Sequence, residues 1–269
     1  MAQQTDNAVI RLINKAVKNI LEKTSNKMVS MKNKHEKKIH FIPKSYRIFG
    51  GMLQSMNIQF GNFIEELMSL VISNENCYEI ISKYSGKKNN KFSLSRENER
   101  LIDNYISECQ LHEDGFCNKE FQNLQKKILD NIDTGTNKNT FMHDIDLLFK
   151  NNKTNKYYYL EIKYDDNHDT GKFVDINRKF IKTYSYLLNE LKIKDIEDLI
   201  PVLIFFNNKK MKGNPYIPES TNIRRGKQFF DEFITTISYN ELNTYMLNLS
   251  ESPEVKKMFD DLYDSVVKL

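Results

Sequence analysis

The chain's 269 residues suffice for one large domain or two small ones, with a core that needs no disulfide or metal to staple it. At 39% hydrophobic and 28% charged residues it is not disordered by composition, and its longest apolar run, 199–206, is far short of a membrane span. Forty Lys+Arg against 36 Asp+Glu leave a net charge of +4, which permits a polyanionic partner without demanding one.

The first seven residues are polar and show neither a basic-then-apolar leader nor an Arg/Ser-rich presequence, so a cytoplasmic protein is expected. Cys77, Cys109 and Cys117 are odd in number and lack CxxC spacing. Free thiols in a reducing compartment are therefore expected, in preference to a zinc held by Cys109, His112, Cys117 and a remote Cys77, since closed zinc sites use tighter paired spacings.

In chain order, Val9, Leu12, Ile13, Ala16, Val17, Ile20 and Leu21 stand at helical spacing and predict a first helix, followed by a solvated basic connector over 27–38. Phe60, Phe63, Ile64, Leu67 and Val71 form one stripe and predict a second helix from Met52 or Asn57 to Ile72, flanked by Glu65 and Glu66. Helical patterns follow at 96–107 and 119–129, separated by the turn HEDG at 112–115 and followed by a loop at 133–140. The period then changes to two. Residues 144–149 alternate, with Ile145, Leu147 and Phe149 opposite Asp144 and Asp146, which predicts a half-buried strand; a turn leads to a second strand over 157–163. Beyond a polar loop, Phe173, Ile176, Phe180, Tyr184, Leu187, Leu188 and Leu191 predict a long helix over 172–191, and PVLIFF at 201–206 predicts a buried strand joined to the preceding one by a crossover. The rest reads as a loop at 207–222, a helix from near Arg225, and a last helix with Ser252 as N-cap, Pro253 in its first position and Val255, Met258, Leu262, Val266 and Leu269 along one side. No linker divides the chain, so one domain over 1–269 is expected.

The segment HDIDLLF…YYYLEIK carries the chemistry. A hairpin closing symmetrically about its turn puts Asp146 opposite Glu161 and Asp144 opposite Lys163. Directly opposed residues have Cβ atoms roughly 4.5–5.5 Å apart, and like charges at that distance destabilise a sheet unless a cation offsets them. Two carboxylates, a backbone carbonyl and waters suit octahedral Mg²⁺, with Lys163 on the same face as Glu161.

Asp146 before Leu147-Leu148-Phe149, then Glu161-Ile162-Lys163 and a long helix, resembles the PD-(D/E)XK nuclease superfamily, and in a chain of this length a small type II restriction endonuclease. The resemblance implies an α/β restriction-endonuclease-like core (αβββαβ) over about 57–206, with a mixed central sheet flanked by helices, an N-terminal helical extension (1–45) and a C-terminal helical region (222–269). It implies Mg²⁺ held by Asp146, Glu161 and the Ile162 carbonyl, Lys163 orienting or deprotonating the attacking water, and Glu65 or Glu66 from the preceding helix as a further acid. Hydrolysis of double-stranded DNA by a homodimer, leaving a 5′-phosphate and a 3′-hydroxyl, follows from the same resemblance. The motif's proline is absent, since His143 and Ile145 flank Asp144, which leaves Asp144 as the alternative to Asp146.

Two basic stretches are candidate DNA contacts: Lys44 and Arg47 within 42–51, and Arg224, Arg225 and Lys227 within 222–230. The tyrosines at 157–159 read as strand packing. No GxxxxGK[ST] or GxGxxG occurs, so no nucleotide cofactor is expected, and the loop at 165–171 fails as a calcium loop because Thr170 stands where glycine is needed. His143-Asp144 is an HD dipeptide without the helical histidines such sites require. The rival readings are a repair or Holliday-junction nuclease of the same superfamily, and a DNA-binding protein without catalysis.

Overall fold

The computed structural model describes residues 2–36, 38–112, 115–132, 138–167 and 169–268, with side chains from residue 8 onward. The elements are α1 (Ala2–Ser25), α2 (Met28–Glu36), α3 (Lys44–Ser73), β1 (Tyr78–Ile80), β2 (Lys91–Ser95), α4 (Arg96–Leu111), α5 (Phe116–Asp130), β3 (Lys138–Met142), β4 (Leu147–Asn151) and β5 (Tyr157–Lys163). They continue with α6 (Thr170–Glu190), β6 (Leu199–Phe205), α7 (Glu219–Asn222), β7 (Ile223–Arg225), α8 (Gly226–Phe233), α9 (Tyr239–Ser250) and α10 (Pro253–Val267). Among the described residues no helix is long and apolar enough to cross a membrane. Two compact units emerge, Met1–Asn74 with Ile234–Leu269, and Glu75–Phe233.

In the first unit α3 is the spine, touched by α1, α2 and α10. Its core is Leu21, Ile48, Met52, Met56, Leu262 and Val266. The helix begins at Lys44, behind Pro43, and not at Met52 or Asn57 as the sequence suggests. Gly50 and Gly51 cost about 1 kcal/mol each in a helix, but Ile48, Met52 and Met56 stand four apart and are buried, at roughly 1.5–3 kcal/mol apiece. Burial outweighs the glycines. The expected basic connector is largely α2, tied to α3 through Lys27 Nζ, which donates to Ser55 Oγ at 2.9 Å. The stripes of α1 and α10 feed this unit's own core, while Phe259, Tyr263 and Val267 of α10 stay exposed. Ser252 caps α10 by accepting from Val255 N, with Pro253 at the helix start; α9, capped by Ser238 and Glu241, is a helix the sequence reading passes over.

The second unit is built on a five-stranded mixed sheet in the order β1-β4-β5-β6-β7, antiparallel up to β5 and parallel beyond it. The connection from β5 through α6 to the parallel β6 is the expected crossover. The three-residue β1 is the first strand of the meander, and β2, α4, α5 and β3 are inserted before β4, with β2 and β3 pairing as a separate antiparallel ribbon. Part of the expected 133–140 loop is therefore strand β3; residues 133–137 of that loop, 113 and 114 of the HEDG turn, His168 and Leu269 lie outside the described residues.

Strand β4 begins at Leu147 and is buried on both faces, with Leu147, Leu148 and Phe149 inaccessible, so the half-buried strand expected over 144–149 is corrected to a central one. On one face Leu148 and Tyr159 meet α6, where Tyr159 stacks on Phe180 at 5.1 Å. On the other, Phe149 stacks on Tyr158 at 5.2 Å and both rings meet Phe233 of α8 edge-on. Cys109 and Cys117 are buried and in no disulfide, and among the described residues no three His, Cys, Asp or Glu side chains gather as a metal site.

Candidate active site

The hairpin turn sets the register. Asn151 Oδ1 accepts from Lys153 N and Thr154 N, and Asn155 takes φ 62°, a left-handed conformation that asparagine tolerates. The ladder then pairs Leu147 with Leu160, Leu148 with Tyr159, Phe149 with Tyr158 and Lys150 with Tyr157, as symmetric closure predicts. Just beyond the end of that ladder, Asp146 lies close enough to Glu161 for the two charges to interact.

Asp146 Oδ2 accepts from the backbone N–H of Ile162 at 2.7 Å. Lys163 Nζ sits 2.7 Å from Glu161 Oε1, 2.9 Å from the Ile162 carbonyl and 3.5 Å from Asp146 Oδ2. Glu161 is buried, Asp146 nearly so, and Lys163 partly exposed. Burial and the neighbouring Glu161 carboxylate push the Asp146 carboxyl up to about 6, against the opposing pull of Lys163 and the Ile162 N–H. Two carboxylates at this separation call for positive charge, and the ammonium supplies it.

Asp144 leaves the cluster. The chain departs from the ladder before Leu147, and Asp144 Oδ1 instead accepts from Asn89 N at 2.7 Å, bracing a loop around a positive-φ residue. His143, read in the sequence only as half of a dipeptide, lies beside the cluster: one ring nitrogen is 2.9 Å from Thr183 Oγ1 of α6, the other 3.9 Å from Glu161 Oε2. Tyr159 Oη donates to Glu161 Oε2 at 3.4 Å. Only the packing of α6 on the sheet brings Thr183 here, so no spacing in the sequence could have signalled it. Burial holds the His143 imidazole below its ordinary pKa, which keeps it neutral near pH 7.

The three oxygens around the Lys163 ammonium test whether a cation fits. Two carboxylates and one carbonyl, completed by water, form a hard-oxygen donor set suited to an alkaline-earth ion.

The family model described as "Type II restriction endonuclease, HinfI" matches residues 5–250. The chain belongs to that family. The type II restriction enzyme HinfI of Haemophilus influenzae is 55% identical to it over 260 residues, 96% of this chain and 97% of that protein. No solved structure matches the chain. The enzyme is thus a site-specific deoxyribonuclease of a restriction-modification system, and the repair and non-catalytic readings give way.

The other candidates are placed unevenly. In the first unit, Glu65 is half-buried and Glu66 exposed on α3, Lys44 pairs with Glu36 at 3.1 Å, and Arg47 donates to the Lys38 carbonyl. In the second unit, Arg224 pairs with Glu232, and exposed Lys227 lies 2.5 Å from Asp231 one helical turn on. Arg225 does not face solvent as a phosphate contact would: it is buried, with Nη2 shared between Asp166 Oδ2 at 3.1 Å and Glu219 Oε1 at 3.0 Å. A cation in a basic run reads as exposed until its acidic partners, 59 and 6 residues away, are known.

Proposed function

We propose that Asp146, Glu161, Ile162 and Lys163 carry the hydrolysis of duplex DNA, with Mg²⁺ as the cation. The supporting observation is the Lys163 ammonium seated among Glu161 Oε1, the Ile162 carbonyl and Asp146 Oδ2. Those three oxygens would hold Mg²⁺, which when bound supplies charge to neutralise the phosphate and acidify a water. Lys163, partly exposed at the end of β5, orients the attacking water in line with the 3′ oxygen and stabilises the charge that grows on the phosphate. Asp146 is braced by the Ile162 N–H, so the two carboxylates keep a fixed separation. Lys44, Arg47, Arg224 and Lys227 contact phosphates, while Arg225 supports from beneath.

One such cluster per chain cuts one strand, so two copies related by the two-fold axis of a palindromic site form the working enzyme. It acts in the cytoplasm, as one nuclease over the whole chain, without a nucleotide cofactor. The test is digestion of unmethylated plasmid. Discrete linear fragments in Mg²⁺, without accumulation of nicked circles, and silence in EDTA are expected. Cutting in EDTA would reject the metal assignment, and persistent nicked circles would reject paired cutting.

A further inference from the structure

The loop that follows β6 has the sequence NNKKMKG over 207–213, and residues 208–212 are all exposed. It leaves the sheet beside the proposed catalytic lysine: Phe205 pairs with Lys163, Phe206 N donates to the Lys163 carbonyl at 2.8 Å, and Asn207 N to the Tyr164 carbonyl at 2.7 Å. A loop with three lysines in seven residues would ordinarily be loose. Here it is fastened from below. The carboxylate of Asp166, fully buried three residues after Lys163, accepts from Met211 N at 2.9 Å, Lys212 N at 3.2 Å and Gly213 N at 2.8 Å.

Burial alone would raise the Asp166 carboxyl, but these three N–H donors and Arg225 hold it below its usual value, so it stays ionised. Arg225 ties the same carboxylate to Glu219, and Glu219 Oε1 lies 3.5 Å from Lys210 Nζ. Gly213 turns the chain at φ +83°, and a Cβ there would come 2.7 Å from Lys210 Cε. Asn207 Oδ1 accepts from Lys209 N at 3.1 Å and fixes the loop's entry. One buried anion thus both holds Arg225 of β7 and shapes a surface loop whose outer side is cationic.

We propose that Lys209, Lys210 and Lys212 form a preset contact with the DNA backbone next to the scissile phosphate, and that Asp166 is the positioning residue that holds it. This rests on the reading of Asp146, Glu161 and Lys163 as the cutting centre. Lys209 lies four residues beyond Phe205, at most about 14 Å of extended chain, which spans a few nucleotide steps at about 3.4 Å of axial rise each. The ligand is the phosphodiester backbone of duplex DNA, read through charge and not through base edges.

The experiment measures binding to a mixed-sequence duplex in Ca²⁺ across a series of salt concentrations. Lys209→Ala/Lys210→Ala, both exposed, should lower the slope of log affinity against log salt by about two, since each phosphate contact contributes about 0.9. Asp166→Asn removes a negative charge, so a purely electrostatic effect would strengthen binding. A positioning role predicts the opposite, a weaker affinity and a smaller slope. Should Asp166→Asn fail to fold, Gly213→Ala disturbs the same loop and should shift the slope the same way. An unchanged slope in the lysine variant overturns the contact; stronger binding by Asp166→Asn, or an unchanged slope in Gly213→Ala, overturns the positioning. Cleavage by Lys163→Ala, scored separately on plasmid, reports on the cutting centre whatever the loop does.

Discussion

Asp146→Asn and Lys163→Ala should each lower single-turnover cleavage by about a thousandfold or more, equivalent to about 4 kcal/mol of transition-state stabilisation, while leaving duplex binding near that of the parent. Asp146 is nearly buried, tied to the strand by the Ile162 N–H, and set against Glu161, so an amide there removes one of two charges that hold a cation. Lys163 is seated among the three oxygens, and alanine removes the group that handles the water on the proposed reading. Binding survives because affinity comes from phosphate contacts spread over the surface. Asp144→Asn is the internal control. Its carboxylate braces the loop at Asn89, so cleavage should persist. Quenched-flow measurement on a saturated duplex separates the rate from affinity, and a dead Asp144→Asn beside an active Asp146→Asn would move the centre along the chain.

Without metal the fold should carry an electrostatic penalty at Asp146. The Asp146 carboxyl is pushed from its ordinary value to about 6 by burial and by Glu161. A carboxyl that holds its proton more tightly when folded favours the native state below about pH 4 and loses that advantage as pH rises from about 4 to about 6. Above that window its ionisation costs the folded protein about 3 kcal/mol. In EDTA at pH 7.5, Asp146→Asn should therefore melt at a higher temperature than the parent, although it no longer cuts. Adding Mg²⁺ should raise the parent's melting temperature and leave the variant's unchanged. Parent and variant melting alike in EDTA at both pH 4 and pH 7.5 would show that no such penalty exists.

The closeness of Asp146, Glu161 and Lys163 was legible because its geometry is local. A short turn with Asn151 and Asn155, alternating residues in β5 and an apolar run after Asp146 leave one register, and that register brings the carboxylates together. The long helix α6 was legible from its period and the buried β6 from its continuous apolar run, both local signals. What remained hidden depends on distant partners. The three residues of β1 are too few to show a period and become a strand only against β4. Strands β2 and β3 pair across two helices, 43 to 51 residues apart. The start of α3 was masked by Gly50 and Gly51, whose cost is outweighed by packing against α1 and α2. Arg225, which reads as a DNA contact, turns out to be the partner of Asp166 across 59 residues. Asp144 was misplaced on the strand face because alternation in the sequence continues past the point where the ladder ends.

In the proposed centre Asp146 and Glu161 jointly hold a cation next to Lys163. The most direct measurement is Mn²⁺ binding followed by electron paramagnetic resonance, with duplex present and the enzyme at stoichiometric concentration. The parent should take up the ion, Glu161→Gln should release it into the free pool, and Asp144→Asn should bind as the parent does. Full Mn²⁺ uptake by Glu161→Gln would contradict the assignment.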